Sequence, residues 1–390
     1  MNKPFYTGID IGTSHVKVII AAPAEKPDLP MQIIGTGTAA ARGLRHGYIV
    51  DIREAALSIQ EAVTRAAGAA RVKVASARVG IGGVGLEDLR STGELSLTPT
   101  GGVVTEQALE RVLRESEKRA STKLANKNVL HTVPLEYRVD GAKVFGSPLG
   151  LQGTKLSVDT LLVTVLSKHY DDLIEAVEAA GIEVEGMMAS PIAASFVTLS
   201  KAQKMAGVVL ANIGSETLSL IVYDNDTPIS VKVFPTGGNA LTDSLALTFQ
   251  LPLPEAEQMK RGAVTGSDVP QKKFQAVVQA QLKEHFTLVA THLKAIGRNR
   301  LLPAGIVITG GGSGLAGIAE TAKLILRLPS QVSQIGLLPK SASIDATWAV
   351  AYGLCRWGFA EDVSDEGQSF SEVLKGGWKS LKATLGSFLP

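Results

Sequence analysis

Twice in this chain a buried-strand pattern runs into a turn of small residues and straight out into a second strand. The first pair covers 5–10 and 16–21 around Gly12-Thr13-Ser14, and the second covers 208–213 and 218–223 around Gly214-Ser215-Glu216-Thr217. No helical period separates the two strands of either pair, so each is a hairpin and not the start of a strand–helix–strand unit. A repeat of this kind points to a duplicated α/β fold in which each half opens on the same hairpin. The length of 390 residues suits several domains, and 45% hydrophobic against 19% charged residues supplies sizeable cores and excludes a disordered chain.

The rest of the pattern fits around the two hairpins. A third strand fits 32–40. Asp51 reads as the N-cap of a helix over about 52–68, with Ala55, Ile59, Ala62 and Val63 on one face. A short strand at 77–82 ends in a glycine-rich break (Gly80, Gly82, Gly83, Gly85), after which 85–168 reads as an inserted module. Within it a strand at 92–97 precedes a helix over 105–119 capped by Thr105, and strands follow at 128–139 and 155–166. A helix over 169–180 and a strand at 183–189 resume the first domain. Residues 239–300 are largely helical, and a strand from 306 ends in Gly310-Gly311-Gly312-Ser313 before another helix.

Several classes of function are excluded. A net charge of +2 argues against a nucleic-acid binder. Cys355 is the only cysteine, which rules out an intrachain disulfide and a cysteine-rich zinc site and fits a reducing compartment. The N-terminus lacks the charged and apolar regions of a secretion signal. No stretch approaches the roughly 18 uninterrupted apolar residues of a membrane span. Histidines 15, 46, 131, 169, 285 and 292 never fall at HExxH spacing, and neither GxSxG nor the Walker A pattern occurs. Lys118, Arg119, Lys123 and Lys127 read as a solvated helix end.

The chemistry that remains is phosphate binding. Glycine lets a backbone approach a polyphosphate closely, and Ser and Thr hydroxyls donate to it. Two such hairpins facing one another, with the glycine run at 310–313 opening a helix, would clamp a nucleotide between two lobes.

Gly8-Ile9-Asp10-Ile11-Gly12-Thr13-Ser14 with Lys17 resembles the first phosphate motif of the actin/Hsp70/sugar-kinase superfamily. Ala211-Asn212-Ile213-Gly214-Ser215-Glu216-Thr217 resembles its second, and Ile308-Thr309-Gly310-Gly311-Gly312 its adenosine motif. Further motifs resemble the FtsA family of bacterial cell-division proteins: Arg42-Gly43-Leu44 with Gly47-Tyr48-Ile49-Val50-Asp51; Leu130-His131 with Pro134, Tyr137, Asp140 and Gly141; Ser147-Pro148-Leu149-Gly150-Leu151 with Gly153; Gly237-Gly238-Asn239-Ala240-Leu241-Thr242; and Ala256-Glu257 with Lys260. The resemblance runs from about residue 5 to 355, plus the tail.

This resemblance implies an actin/Hsp70-like two-lobed α/β fold with an inserted FtsA-type α+β domain and a C-terminal amphipathic helix. The first lobe core would be 1–84 with 169–194, the insert 85–168, and the second lobe core 195–238 with 301–360. An outer helical subdomain would span 239–300, an acidic linker 361–368, and the tail 369–390. The implied cofactors are ATP and Mg²⁺. Asp10, Gly12, Thr13, Ser14 and Lys17 would meet the β/γ-phosphates, with Asp10 at the metal. Gly214, Ser215, Glu216 and Thr217 would form the opposing loop. Gly237 and Gly238 would approach the phosphates or ribose, Glu257 and Lys260 the ribose and base, and Gly311, Gly312 and Ser313 the nucleoside.

The implied partners are the C-terminal tail of FtsZ through residues 239–300, later division proteins through 85–168, further copies of the chain in a polymer, and an anionic membrane surface. The implied place is the cytoplasmic face of the membrane at the division septum. The second loop departs from the family's Asp-Ile-Gly-Gly-Gly-Thr-Thr-Asp and reads Asn212-Ile213-Gly214-Ser215-Glu216-Thr217-Leu218-Ser219. An amide accepts no proton and lends no charge to a metal shell, so weak or absent hydrolysis is expected. Where the family carries an Arg for the FtsZ tail this chain has Gln281, leaving Lys283, His285, Lys294, Arg298 and Arg300 as basic candidates.

The tail stands apart. Phe370, Val373, Leu374, Trp378, Leu381, Leu385, Phe388 and Leu389 fall on one helical stripe, with Lys375, Lys379 and Lys382 beside it. Such a segment suits anionic headgroups over an acyl boundary. Two other readings differ in kind: an ATP-binding pilus-assembly scaffold resembling PilM, and a sugar-kinase-like enzyme, which would need a catalytic Asp near the phosphates.

Overall fold

The computed structural model describes residues 5–23, 29–98, 100–262, 270–334 and 344–365. The first hairpin is β1 (Tyr6–Ile11) and β2 (His15–Ala22); β3 (Gln32–Ala40) follows, then a short hairpin of β4 (Leu44–Arg45) and β5 (Tyr48–Ile49), helix α1 (Ile52–Ala70) and β6 (Ser76–Ile81). The insert comprises β7 (Glu87–Ser96), β8 (Gly102–Val103), α2 (Glu106–Arg119), β9 (Lys127–Val139), β10 (Ala142–Val144), β11 (Gln152–Gly153) and β12 (Lys155–Leu166). Then come α3 (Ser167–Ala179), β13 (Glu183–Ala189), α4 (Ser190–Thr198) and α5 (Lys201–Ala206). The second half runs β14 (Val208–Ile213), β15 (Leu218–Asp224), β16 (Thr227–Phe234), α6 (Gly238–Phe249), α7 (Leu253–Lys260), α8 (Gln271–Ala295), β17 (Ile306–Thr309), α9 (Ile318–Leu326), β18 (Ser330–Val332) and α10 (Ala349–Asp365).

The sheets show the duplication directly. The first lobe has the strand order β3-β2-β1-β6-β13 and the second β16-β15-β14-β17-β18. In both, the first three strands are antiparallel and the last three parallel. The third strand of the second set, β16, is absent from the sequence reading.

Local choices agree with this plan. The Asp51 carboxylate accepts the Glu54 N–H and starts α1, which ends where Arg71 turns left-handed. The buried face of α1 (Ala55, Ile59, Ala62, Ala66) lies so close to β3 that a Cβ on Gly37 would fall 2.0 Å from the Ala62 carbonyl oxygen. Thr105 caps α2 in the same way, by accepting the Ala108 N–H. The insert has its own core of Val104, Val112, Leu113, Leu156 and Val158. Its sheet nevertheless continues into the second lobe, because β7 starts earlier than the sequence pattern suggests and pairs Glu87 with Lys232 of β16. Next to that pair, the Asp88 carboxylate accepts from the Ser230 hydroxyl (2.6 Å) and the Val231 N–H (2.5 Å).

Three expectations are corrected. Residues 349–360 were assigned to the second lobe, but α10 packs into the first-lobe core with β1 and α4. Small residues make this possible: a Cβ on Gly8 would meet the Ala351 carbonyl oxygen at 2.2 Å, and one on Gly353 the Ala193 carbonyl oxygen at 1.9 Å. The acidic linker does not begin at 361, since α10 continues through Asp365. Two of its carboxylates are engaged there: Glu361 pairs with Arg78 (3.2 Å), and Asp362 accepts from the Tyr6 hydroxyl (2.7 Å). The glycine run does not open a helix either; Gly311–Gly314 is one 3-10 turn, and α9 starts only at Ile318. The amphipathic segment 369–389 lies outside the described residues. Among those residues no helix is long and apolar enough to cross a membrane.

Candidate functional site

The two repeated hairpins meet tip to tip between the lobes. Each turn closes in the same way, with Gly12 N–H donating to the His15 carbonyl (3.2 Å) and Gly214 N–H to the Thr217 carbonyl (2.8 Å). Across the gap the Thr13 and Ser215 hydroxyls share a 2.6 Å hydrogen bond. Around them opens a cleft of about 700 Å³, within the range of small-molecule sites. Its wall includes Asp10, Gly12, Thr13, Ser14, Lys17, Gly214, Ser215, Thr217, Gly238, Glu257, Lys260, Gly311 and Gly312.

Asp10 and Lys17 are cross-strand partners on β1 and β2. Burial pushes the Asp10 carboxyl up to about 6, with Lys17 pulling the other way. Burial likewise lowers the Lys17 amine, opposed by Asp10 and Asp345. Lys17 donates to the Thr347 carbonyl (2.8 Å) and lies 5.9 Å from the Trp348 ring centre. This Asp345–Trp348 segment closes one side of the cleft and escaped the sequence reading. The Asp345 carboxylate folds it by accepting the Thr347 N–H (2.9 Å) and hydroxyl (2.6 Å).

The opposite side is a charge cluster on α7. Glu257 pairs with Lys260 (2.5 Å) and Arg261 (2.8 Å) and accepts from the Thr242 hydroxyl (2.6 Å). Burial acts to raise the Glu257 carboxyl, but the bonds from Lys260, Thr242 and Arg261 prevail and hold it low. Lys260 also donates to the Gly238 carbonyl (3.1 Å) and the Thr242 hydroxyl (2.8 Å). The floor comes from the glycine run: a Cβ on Gly312 would strike Ile213 at 2.4 Å, and one on Gly310 the Asn212 side chain at 2.2 Å. A Cβ on Gly311 would meet only open space.

Three expected residues are not on the wall. Gly237 lies beneath the second hairpin, where a Cβ would fall 2.6 Å from the Gly214 carbonyl oxygen. The N–H groups of Gly238 and Asn239 are used on the Gly214 (2.9 Å) and Ser215 (2.8 Å) carbonyls, so the start of α6 supports the loop. Ser313 is buried, and its hydroxyl locks the glycine turn by donating to the Gly310 carbonyl (2.7 Å). Glu216 reaches away from the cleft, and its carboxylate accepts the His46 N–H at 2.5 Å. Conversely, Gly47, Gly82, Gly83, Ser190, Asn239 and Arg261 line the cleft, though the sequence assigns none of them to the site.

The basic candidates lie elsewhere. Arg298 is held by Asp224 (2.8 Å) at the end of β15, Lys294 is in the last turn of α8, and Arg300 follows it in a left-handed turn. Gln281 is buried and accepts from Ser244 (3.1 Å), joining α8 to α6. Among the described residues no group of three or more His, Cys, Asp or Glu could hold a metal. The cleft therefore offers glycine backbone, hydroxyls and the cations Lys17, Lys260 and Arg261, which together fit an elongated polyanion.

The family model described as "Cell division protein FtsA" matches residues 209–353, and "SHS2 domain inserted in FTSA" matches 83–164. The chain is 30% identical to the cell division protein FtsA of Pseudomonas aeruginosa over 343 residues, 83% of this chain and 81% of that protein. It is 26% identical to FtsA of Borreliella burgdorferi, covering 96% of this chain and 94% of that one. Among solved structures, a PilM-PilN type IV pilus biogenesis complex aligns with TM-score 0.68 at 20% identity, covering 92% of this chain and 99% of that one. MreB5 of Spiroplasma citri bound to ADP aligns with TM-score 0.55 at 11% identity, covering 93% and 99%. Both structures share the actin-like architecture, and with the insert matched by its own family model, the chain belongs to the FtsA family of cell division proteins.

Proposed function

We propose that the protein is an ATP-binding, actin-like adaptor that holds FtsZ filaments to the cytoplasmic face of the membrane and recruits later division proteins. The observation that carries the reading is the cleft: two duplicated hairpins meet tip to tip above the half-buried cross-strand neighbours Asp10 and Lys17. The similarity to MreB5 bound to ADP supports a nucleotide in the same place.

Residues of both hairpins would hold the phosphates of Mg-ATP, and the metal would supply positive charge against them. Lys17 supplies an ammonium held in position by Thr347. Thr13 and Ser215 exchange their mutual hydrogen bond for bonds to phosphate, with Gly12 and Gly214 allowing the backbone to approach. Asp10 would hold the metal, whose positive charge would be set against the phosphates. Glu257 and Lys260 face the sugar and base, as do Gly311 and Gly312. Asn212 stands where a carboxylate would be needed to handle a proton, which supports slow or absent hydrolysis.

The remaining assignments follow the chain. Residues 239–300 receive the FtsZ tail, with Lys294, Arg298 and Arg300 as basic contacts. Residues 85–168 meet later division proteins and a neighbouring copy. Residues 369–390 bind the membrane, and polymerisation adds avidity to a weak single anchor. The fold shared with PilM favours one alternative, an ATP-binding pilus scaffold.

The test is pelleting with anionic liposomes, with and without Mg-ATP and FtsZ. It compares the full chain with a Trp378→Glu/Leu381→Glu variant. The adaptor reading expects the full chain to carry FtsZ into the pellet and the variant to stay in solution. If both stay in solution, the adaptor reading fails and the pilus-scaffold alternative takes its place.

A further inference from the structure

We propose that Glu216 is a clasp between the lobes, and that the β4–β5 hairpin transmits the state of the second phosphate hairpin to the root of the insert. The proposal rests on the nucleotide-binding reading above. Glu216 belongs to the turn between β14 and β15, yet its carboxylate leaves the cleft and accepts the His46 N–H at 2.5 Å, with His46 Nδ1 at 4.0 Å. A charged acceptor on a backbone N–H makes a stronger bond than a neutral one. His46 and Gly47 form the tip of the β4–β5 hairpin, with φ of 49° and 82°. Two positive φ values in succession mark the tight hairpin turn, so the tip moves as a unit.

Behind the tip the hairpin abuts both strands of chain that join the insert to the first lobe. A Cβ on Gly47 would fall 2.4 Å from Gly83 Cα, and one on Gly85 would fall 2.3 Å from the Tyr48 hydroxyl. Gly83 and Gly85 lie in the segment that leads into β7. On the returning segment, the His169 ring of α3 lies tilted against Tyr48, with ring centres 4.7 Å apart, and bonds the Gly82 carbonyl at 3.0 Å. Backbone sits directly on backbone at Gly47 and Gly83, leaving no long side chain to absorb a shift of the tip.

The other end of the path is the Thr13–Ser215 bond. A phosphate entering between the hairpin tips replaces that bond and displaces the turn that carries Glu216. The clasp then changes, and with it the seating of the β4–β5 hairpin against the insert root. Nucleotide occupancy and insert orientation become one coupled equilibrium. Asp88 ties the insert to β16 of the second lobe.

The test uses the full chain with spin labels on Phe145→Cys, at the insert, and Leu324→Cys, on α9; both positions are highly exposed, and the native Cys355 is buried. Distances between the labels are measured with and without a non-hydrolysable ATP analogue, in the otherwise unsubstituted chain and in Glu216→Ala and Glu216→Gln. Binding of the analogue is followed separately by its fluorescence. The expected result is a nucleotide-dependent shift that is lost in Glu216→Ala and partly kept in Glu216→Gln, which retains an acceptor oxygen. An equal shift in Glu216→Ala, or no shift in the unsubstituted chain despite binding, overturns the clasp and leaves the nucleotide reading standing. If no version of the chain binds the analogue, the nucleotide reading falls. The empty proteins then decide the clasp itself: a broader distance distribution in Glu216→Ala supports it, and an unchanged one overturns it.

Discussion

Asp10→Asn should stabilise the nucleotide-free protein while impairing its use of Mg-ATP. Asp10 is half-buried at the cleft wall, and desolvation there raises its carboxyl from 3.8 to about 6. That difference corresponds to about 3 kcal/mol of preference for the neutral form. The folded state holds this proton more tightly than the unfolded chain does. The stabilising contribution is therefore complete below pH 3.8, is lost as pH rises through about 6, and stays absent above it. Asparagine has the same shape and no charge, so it removes the penalty at pH 8. A new amide without a ready acceptor gives back about 1 kcal/mol, leaving a net gain of about 2 kcal/mol. Urea unfolding followed by tryptophan fluorescence reads this locally, because Trp348 borders the cleft and Trp357 lies in α10. The variant should unfold at higher urea at pH 8, the gap should close towards pH 4, and Mg-ATP should stabilise only the unsubstituted chain. A variant less stable than its parent at pH 8, or a gap independent of pH, would refute the reasoning.

Arg78→Ala should loosen the end of α10. The guanidinium pairs with Glu185 and Glu361 and sits over the Tyr6 and Trp357 rings. Because both carboxylates are partly solvated, the cost is about 2 kcal/mol and not the larger figure for a buried pair. Amide exchange over 357–362 should accelerate, and unchanged exchange would contradict the assignment. Asp88→Ala strips the acceptor from Ser230 and Val231 and should cost about 1–3 kcal/mol, seen as faster exchange in β16; normal protection there would rule this out. Gly37→Ala forces α1 away from β3 at a contact of 2.0 Å, and a loss of about 3 kcal/mol is expected in thermal unfolding. A neutral result would mean that the helix seat is looser than described.

Much of the fold was legible because its signals are local. The near-continuous apolar runs of β1, β2, β14 and β15 flank glycine turns, and Asp51 and Thr105 are caps that announce their helices. Strand β16 was missed because Pro228, Ser230 and Lys232 break an apolar reading, and its place is set by pairing with β15. The lobe of α10 was misread because its small residues seek Gly8 and Ala193, partners distant in sequence. Within the site, motif position put Gly237, Ser313 and Glu216 on the wall, whereas each instead supports the loops from behind or across the lobes. The Asp345–Trp348 wall carries no glycine signature and is held at the cleft by contacts distant in sequence, the bonds from Lys17 to the Thr347 carbonyl and from Thr309 to the Ala346 carbonyl. Its one local sign is Asp345 two residues before the Thr347 N–H that it caps.

The most direct test of a nucleotide-binding cleft is calorimetric titration with Mg-ATP of the unsubstituted chain and of Lys17→Ala. One site per chain is expected, weakened about tenfold or more by Lys17→Ala, since a charge-assisted contact contributes about 1.5–3 kcal/mol. Absence of binding at millimolar ATP, or equal binding by Lys17→Ala, would contradict the placement of the phosphates between the two hairpins.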